Sequence, residues 1–295
     1  MEIKNLAAEL YGAIPTSGLY HYTSLTGMMS IVKDGALFAS DMRYFNDSSE
    51  LVRTADLVHS TIFRRLTKGA QNEVALTQFD SWLRGRLLLG DMLFVGSFTT
   101  KGNLLSQWRG YCPIAKGVSL GFEPAHLKKK ALDQGFSLGR CIYAGRDQRD
   151  VIDKLIDEIE RLCANIGPES DPKKRHPDNS FHSVFEGVER DILQIAALIK
   201  DYSFNEEQEW RVVSKPVSDY VKESVMFREG QSMLIPYFAF KLPANQQGGV
   251  DLKHVVVGPT PHPVSATESI LRYLNNRKSY PKEHISYCDI PYRGW

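Results

Sequence analysis

The amino-acid sequence predicts an α+β fold, and three observations carry the prediction. Short runs rich in β-branched and aromatic residues, such as Leu93-Phe94-Val95-Gly96-Ser97-Phe98-Thr99, read as strands. They are separated by segments of helical period, grouped without regular strand–helix–strand alternation, which argues against a doubly wound sheet. Neither Gly-x-Gly-x-x-Gly nor Gly-x-x-x-x-Gly-Lys occurs, so the common phosphate-cradling nucleotide folds are not expected.

The elements follow in order. Leu19 to Tyr22 is a strand, and Thr23 or Ser24 caps a helix whose Leu25, Met28, Met29 and Val32 share a face. Gly35 ends it, and Ala36 to Ala39 returns as a strand. Asp47 or Ser48 caps a long helix bearing Leu51, Ala55, Val58 and Ile62, and a second helix covers Asn72 to Leu89. Asn103 to Tyr111 forms one or two helical turns. Gly117 to Phe122 alternates like a half-buried strand. Pro124 opens the next helix, a strand lies near Arg140 to Tyr143, and a helix runs from Arg149 to Cys163. Residues 167–179, polar and with three prolines, read as a mobile loop. Phe181 to Lys200 is a helix with Val184, Val188, Ile192, Ile195 and Ile199 on one stripe. An acidic loop, Phe204 to Glu209, leads into the strand that follows. A hairpin turning at Glu229-Gly230, a strand at His254 to Val257, a helix from Val264 to Asn275 and a short strand at Ile285 to Tyr287 complete the chain.

With 295 residues, 42% hydrophobic and 24% charged, the chain can bury a sizeable core. Its 36 basic and 35 acidic residues leave a net charge of +1, and no basic stripe suited to non-specific duplex nucleic acid appears. Lys128-Lys129-Lys130 reads as a solvated helix face. The four cysteines are scattered, without metal spacing, so free thiols, a reducing compartment and no metal are expected. No apolar run is long enough for a signal peptide or a membrane span, so the expectation is a cytoplasmic protein without a membrane partner.

Several residues have the chemistry of a site. His21, at a strand end between two tyrosines, suits a ligand hydroxyl, or a bond to its own backbone. Ser97 and Thr99 project from one strand face and line either a pocket or solvent. Trp108, Arg109 and Tyr111 form a set able to hold a flat ring and a phosphate, or else a helix end packed on the core. Glu207 and Glu209 share a face at the start of a strand, with Arg211 beside them. They are either functional carboxylates or a surface ion pair worth under about 1 kcal/mol.

Taken together, six blocks are similar to the bacterial family of domain of unknown function 2971. They are Leu19 to Ser24, Phe45-Asn46-Asp47 with Glu50, Ser106 to Tyr111 followed by Gly117 to Phe122, Lys200 with Glu207 to Arg211, Val257-Gly258-Pro259, and Ile290 to Arg293. The resemblance spans about Gly18 to Arg293 and favours a single domain over residues 1–295. That family in turn resembles a remote branch of the ADP-ribosyltransferase fold, which implies split, packed, mixed or antiparallel sheets, flanking helices and an NAD cleft. Carried over residue by residue, His21, Tyr22 and Thr23 stand where the ribose-holding first strand lies, and Ser97 and Thr99 on the second strand lining the cleft. Glu209 then stands as catalytic glutamate, with Glu207 orienting or deprotonating the acceptor. No clear counterpart of the nicotinamide-stacking tyrosine is present, which leaves that part to Tyr111, Trp108 or Phe98, and Arg109 to the pyrophosphate.

The expectation is therefore an NAD-dependent ADP-ribosyltransferase-like enzyme, acting on a protein or nucleic-acid acceptor. The resemblance permits a toxin or phage-defence effector. The alternatives are an NAD glycohydrolase on the same site and a non-catalytic nucleotide or nucleic-acid binding module. On this reading Glu209→Gln abolishes turnover and spares stability.

Overall fold

A computed structural model describes residues 2–45, 49–166, 181–218, 225–230 and 232–290. The helices are α1 (Ile3–Leu10), α2 (Leu25–Asp34), α3 (Ser49–Leu66), α4 (Glu73–Leu89), α5 (Leu105–Tyr111), α6 (Pro124–Asp133), α7 (Gly145–Ile166), α8 (His182–Ala196) and α9 (Pro263–Asn276). The strands are β1 (Leu19–Ser24), β2 (Ala36–Asp41), β3 (Phe94–Thr99), β4 (Gly117–Phe122), β5 (Ser137–Arg140), β6 (Glu209–Val213), β7 (Met226–Glu229), β8 (Leu234–Lys241), β9 (His254–Val257) and β10 (Ile285–Tyr287).

Local chemistry explains most boundaries. Ser24 Oγ accepts from Gly27 N to cap α2, and Gly35 ends that helix in the left-handed region at φ 61°. Asn72 caps α4. The caps expected at Asp47 or Ser48, the loop at 167–179 and the end of the Ile290 to Arg293 block lie outside the described residues. Three expectations are corrected. β4 is buried along its whole length, because it runs between β1 and β9 with side chains packed on both faces. The strand expected at Arg140 to Tyr143 pairs instead at Ser137–Arg140 against β6. The helix expected to reach Lys200 stops at Ala196, and Ile199 leaves it to bridge Ile142.

The strands join in one ten-stranded, mixed, open sheet, where two separate packed sheets were expected. Among the described strands β9 and β10 alone pair in parallel. β3 pairs with β6 along one edge from Val95 to Thr99. Its other edge meets β2 at Phe94 and Val95 and β1 at Thr99. Between those contacts β1 and β2 diverge, so the sheet is split along Gly96 to Phe98 on that edge.

Strand alternation then sorts the residues by face. Phe94, Phe98, Trp210 and Val212 join a core built with Leu19, Leu120, Met28, Leu127 and Ile270, which brings in α2, α6 and α9. On the opposite face Val95 and Val213 join a second core with α1, α3, α4, α7 and α8. A small third cluster, Tyr22, Trp108 and Val256, sits where α5 covers β1 and β9. Among the described residues the same face therefore carries a thick helical layer at one end and the short α5 at the other.

Tyr20 lies flat where side chains are missing. A Cβ on Gly121 would sit 2.7 Å from Tyr20 Cε1 and 2.9 Å from the His254 carbonyl oxygen. Neither atom belongs to a flexible chain end, so Gly121→Ala is expected to lower stability by about 1–3 kcal/mol. Urea denaturation measures this, and an unchanged midpoint would show that the Tyr20 ring is not held there.

Candidate functional site

The residues with the most site chemistry meet where the thick helical layer ends. β6 begins after a 3-10 turn, Tyr202–Glu207, and Gln208 takes the left-handed conformation at φ 45°. Such a backbone costs a non-glycine residue about 1–3 kcal/mol. It is held by Gln208 Nε2 donating to the Asn205 carbonyl (2.7 Å) and by Arg140 donating to Gln208 Oε1 (2.9 Å). The simple alternation expected for Glu207 and Glu209 is broken by this turn, yet both carboxylates reach one ammonium. Lys200 Nζ donates to Glu207 Oε2 and to Glu209 Oε2, each at 2.6 Å.

Below them lies Arg211, only 1% exposed. Its Nε donates to Glu209 Oε1 (2.9 Å) and its Nη2 to Glu209 Oε2 (3.0 Å) and Glu50 Oε1 (2.9 Å). Its Nη1 donates to the Ala197 carbonyl and pairs with Glu50 Oε2, both at 2.8 Å. Cys141 Sγ approaches Glu209 Oε2 at 3.6 Å, and Glu209 N donates to the Tyr143 hydroxyl. Glu209 is thus no surface ion pair. It is 4% exposed and its two oxygens accept from two cations and a thiol.

The electrostatics follow from that crowding. Burial alone would raise the Glu209 carboxyl, but Arg211 and Lys200 overcome it and bring its pKa to about 2. Burial works against the Lys200 ammonium, and the carboxylates of Glu209, Glu50 and Glu207 together outweigh it, so Lys200 is held charged. Glu50 goes the other way: burial and the charge on Glu209 outweigh Arg211 and Lys200, and its pKa rises.

The face of the sheet sorts the remaining candidates. Thr99 lies directly across from Glu209, and Ser97 across from Arg211, so both hydroxyls share the face of the ion network. Ser97 is half-buried and Thr99 buried. Tyr111, 48% exposed on α5, extends its hydroxyl to Glu207 Oε1 at 3.4 Å. Arg109 is exposed on the same helix. Tyr22 also lies on this face but is occupied: it donates to the Lys101 carbonyl (2.7 Å) and accepts from Leu104 N (2.9 Å). Trp108 stacks edge-on against Tyr22 with centroids 4.5 Å apart, and its Nε1 donates to Asn103. Its ring also fills the space over Gly117 and Gly258, so Trp108 is a packing residue with no face left for a ligand.

His21 and Thr23 are not brought to this site. His21 pairs across from Leu120, and Thr23 from Val118, both in the core of the opposite face. The His21 Nδ1 bonds the Ser97 carbonyl (3.0 Å) inside the split of the sheet, which requires the proton on Nδ1. Burial lowers the His21 pKa, partly offset by that bond, so the ring is held neutral. The carbonyl that His21 bonds belongs to β3, not to its own stretch of backbone.

Lys200 and Glu50 had no role assigned from the sequence, although both fall within the blocks of family resemblance. The available signal was a lysine closing the apolar stripe Ile192, Ile195, Ile199, a position that solvent alone does not explain. Among proteins of known families, residues 107–212 match the model described as protein of unknown function (DUF2971). That stretch contains Tyr111, Lys200, Glu207, Glu209 and Arg211, and over it the chain is similar to that family. Neither a curated protein nor a solved structure matches the chain. Among the described residues no helix is long and apolar enough to cross a membrane.

These contacts reverse the expectation that Glu209→Gln spares stability. Removing one partner from a buried ion pair costs about 3–5 kcal/mol, because the remaining charges stay buried. The Glu209 pKa is depressed from 4.5 to about 2 on folding, so its contribution is present above pH 4.5 and lost as pH falls from 4.5 towards 2. Glu50, shifted upward, contributes with the opposite sign. Urea denaturation across pH should show wild type losing stability through that acid window. Glu209→Gln should be less stable at pH 7 and flatter in acid. A variant as stable as wild type at pH 7 would place Glu209 outside any stabilising network.

Proposed function

We propose that the chain is an NAD-cleaving, ADP-ribosyltransferase-like enzyme whose reacting edge is Glu207. The observation that carries this reading is the pair of carboxylates on one ammonium, one sealed beneath the surface and one at the rim. Glu207 keeps one oxygen on Lys200 and turns the other towards the exposed Tyr111. Three carboxylates, Glu50, Glu207 and Glu209, face the two cations Lys200 and Arg211. With all five ionised the network holds one negative charge in excess, beside Ser97 and Tyr111, whose side chains are partly exposed.

That charge suits the reaction. Breaking the bond between ribose C1′ and the nicotinamide nitrogen sends the bonding pair to the departing nicotinamide and leaves positive charge on the ribose. An ionised carboxylate at the rim stabilises this charge more in the transition state than in the ground state. The acceptor then bonds to C1′, and its proton passes to Glu207. Tyr111 offers a ring for the nicotinamide and Arg109 a cation for the pyrophosphate. Glu209 serves from beneath by fixing Lys200 and Arg211. His21 takes no part, because it lies on the other face. A macromolecular acceptor and an effector role in toxicity or phage defence rest on the family resemblance.

One observation favours a second reading. Glu209, the carboxylate matched to the transferase glutamate, is saturated by donors, which suits a nucleotide-binding module without turnover. Incubation with NAD and quantification of released nicotinamide separates the two. Wild type is expected to release nicotinamide, and Glu207→Gln to reduce kcat by about 10²–10³-fold with little change in NAD affinity. NAD binding without any release would establish the module instead. Release without label transfer to protein or nucleic acid would make water the acceptor.

A further inference from the structure

We infer that Lys200 is a positioning residue, whose ammonium ties the rim carboxylate of Glu207 to the buried Glu209–Arg211–Glu50 network and fixes it towards the open surface. The functional part of this inference rests on the reading just proposed, and the geometric part does not.

The chain holds Lys200 by both of its ends. Its backbone N donates to the Ile142 carbonyl at 3.1 Å. The fully buried Gln148 of α7 donates through Nε2 to the carbonyls of both Ile142 and Lys200, each at 2.7 Å. This clamp fixes the chain soon after Ala196 has ended α8 and directly after the Ile199 bridge. At the other end the ammonium lies 5.0 Å from the centre of the Phe204 ring, which closes it off. The groups facing it are Glu207 from the 3-10 turn, Glu209 from β6 and Glu50 from α3, the last at 3.6 Å. Arg211 shares Glu209 and Glu50 with it, and Cys141 and Tyr111 border the same carboxylates. Three carboxylates converge on one ammonium, and Glu207 is bound to the network through that ammonium.

A merely structural lysine and a positioning lysine differ in what happens to Glu207. The ammonium at 2.6 Å fixes one Glu207 oxygen, and removing it leaves that side chain free to change rotamer. Side-chain NMR order parameters of glutamate-labelled protein, without substrate, read Glu207 directly, with Glu207→Gln assigning the signal. In Lys200→Met the Glu207 side chain is expected to lose order, and Lys200→Arg should restore most of it. Lys200→Met leaves buried carboxylates uncompensated, so a second variant, Lys200→Met with Glu209→Gln, removes one charge of each sign and keeps the interior balanced. The same loss of order is expected there. An unchanged order parameter in the folded variant would overturn the inference, whatever the activity. On activity, Lys200→Met should lower kcat by about tenfold with KM little changed, and Lys200→Arg should recover most of it, where a purely structural loss lowers the amount of folded enzyme instead. A wild type that releases no nicotinamide would end the enzymatic reading, and the Glu207 order parameter would still decide whether Lys200 positions that carboxylate.

Discussion

The rest of the structure depends on one buried guanidinium. Arg211 has almost no contact with water, and taking such a charge out of water costs several kcal/mol unless every donor is met. Its donors are met by Glu209 in its own strand, by Glu50 at the start of α3 and by the carbonyl of Ala197 just after α8. Those partners come from three elements, and Glu50 lies 161 residues from Arg211 in sequence. The guanidinium is planar and its donors point in fixed directions, so the three must stand where its fork points. A lysine there would fix one direction, whereas Arg211 fixes three. The same contact that makes Glu209 costly to remove therefore also determines where α3 and the end of α8 sit against the sheet.

This requirement explains why the site lies at a border between layers. Towards α3 and α8 the face of β3 and β6 is sealed by a deep apolar core. Towards β1 and β9 it is covered by α5, whose Trp108 is laid over Gly117 and Gly258 and locked to Tyr22. Between these covers, the side chains of Ser97, Glu207 and Tyr111 keep contact with solvent. The charges buried at the edge of the first core are therefore close to water on one side only. That geometry keeps the effective dielectric low around Lys200 while leaving Glu207 accessible, the combination in which a fixed charge acts most strongly on a neighbour.

The elements were largely legible in the sequence because they follow from local chemistry. The stripe Leu51, Ala55, Val58, Ile62 is buried as its period required, and the strand at His254 to Val257 has the bounds its β-branched run suggested. What was not legible depended on partners. Gly117 to Phe122 alternates in sequence but is buried on both faces, since a central strand has neighbours that no local pattern encodes. The candidate set was half legible for the same reason. Ser97, Thr99 and Glu209 do share one face, because strand period fixes that relation, and Glu207 and Tyr111 reach the same network from the turn and from α5. His21 was assigned to them by resemblance, and the pairing of Tyr20 with Thr99 puts its side chain on the opposite side. Glu50 and Lys200 escaped because an ion network spanning 161 residues of sequence leaves no spacing to read.

The left-handed Gln208 accounts for the difference between the two carboxylates of the Glu-x-Glu segment. Had the strand begun two residues earlier, Glu207 and Glu209 would project side by side from one face, and both would be buried against Arg211 with their charges opposed. The 3-10 turn and the left-handed Gln208 instead take Glu207 out of the strand's alternation. Lys200 then fills the space between the two groups. Two acidic residues with similar sequence surroundings thus acquire different environments: one is kept ionised by two cations despite its burial, the other is held at the surface by a single ammonium. A site needing one fixed charge and one reachable charge obtains both from the same short segment, and the strain at Gln208 is the conformational cost of separating them.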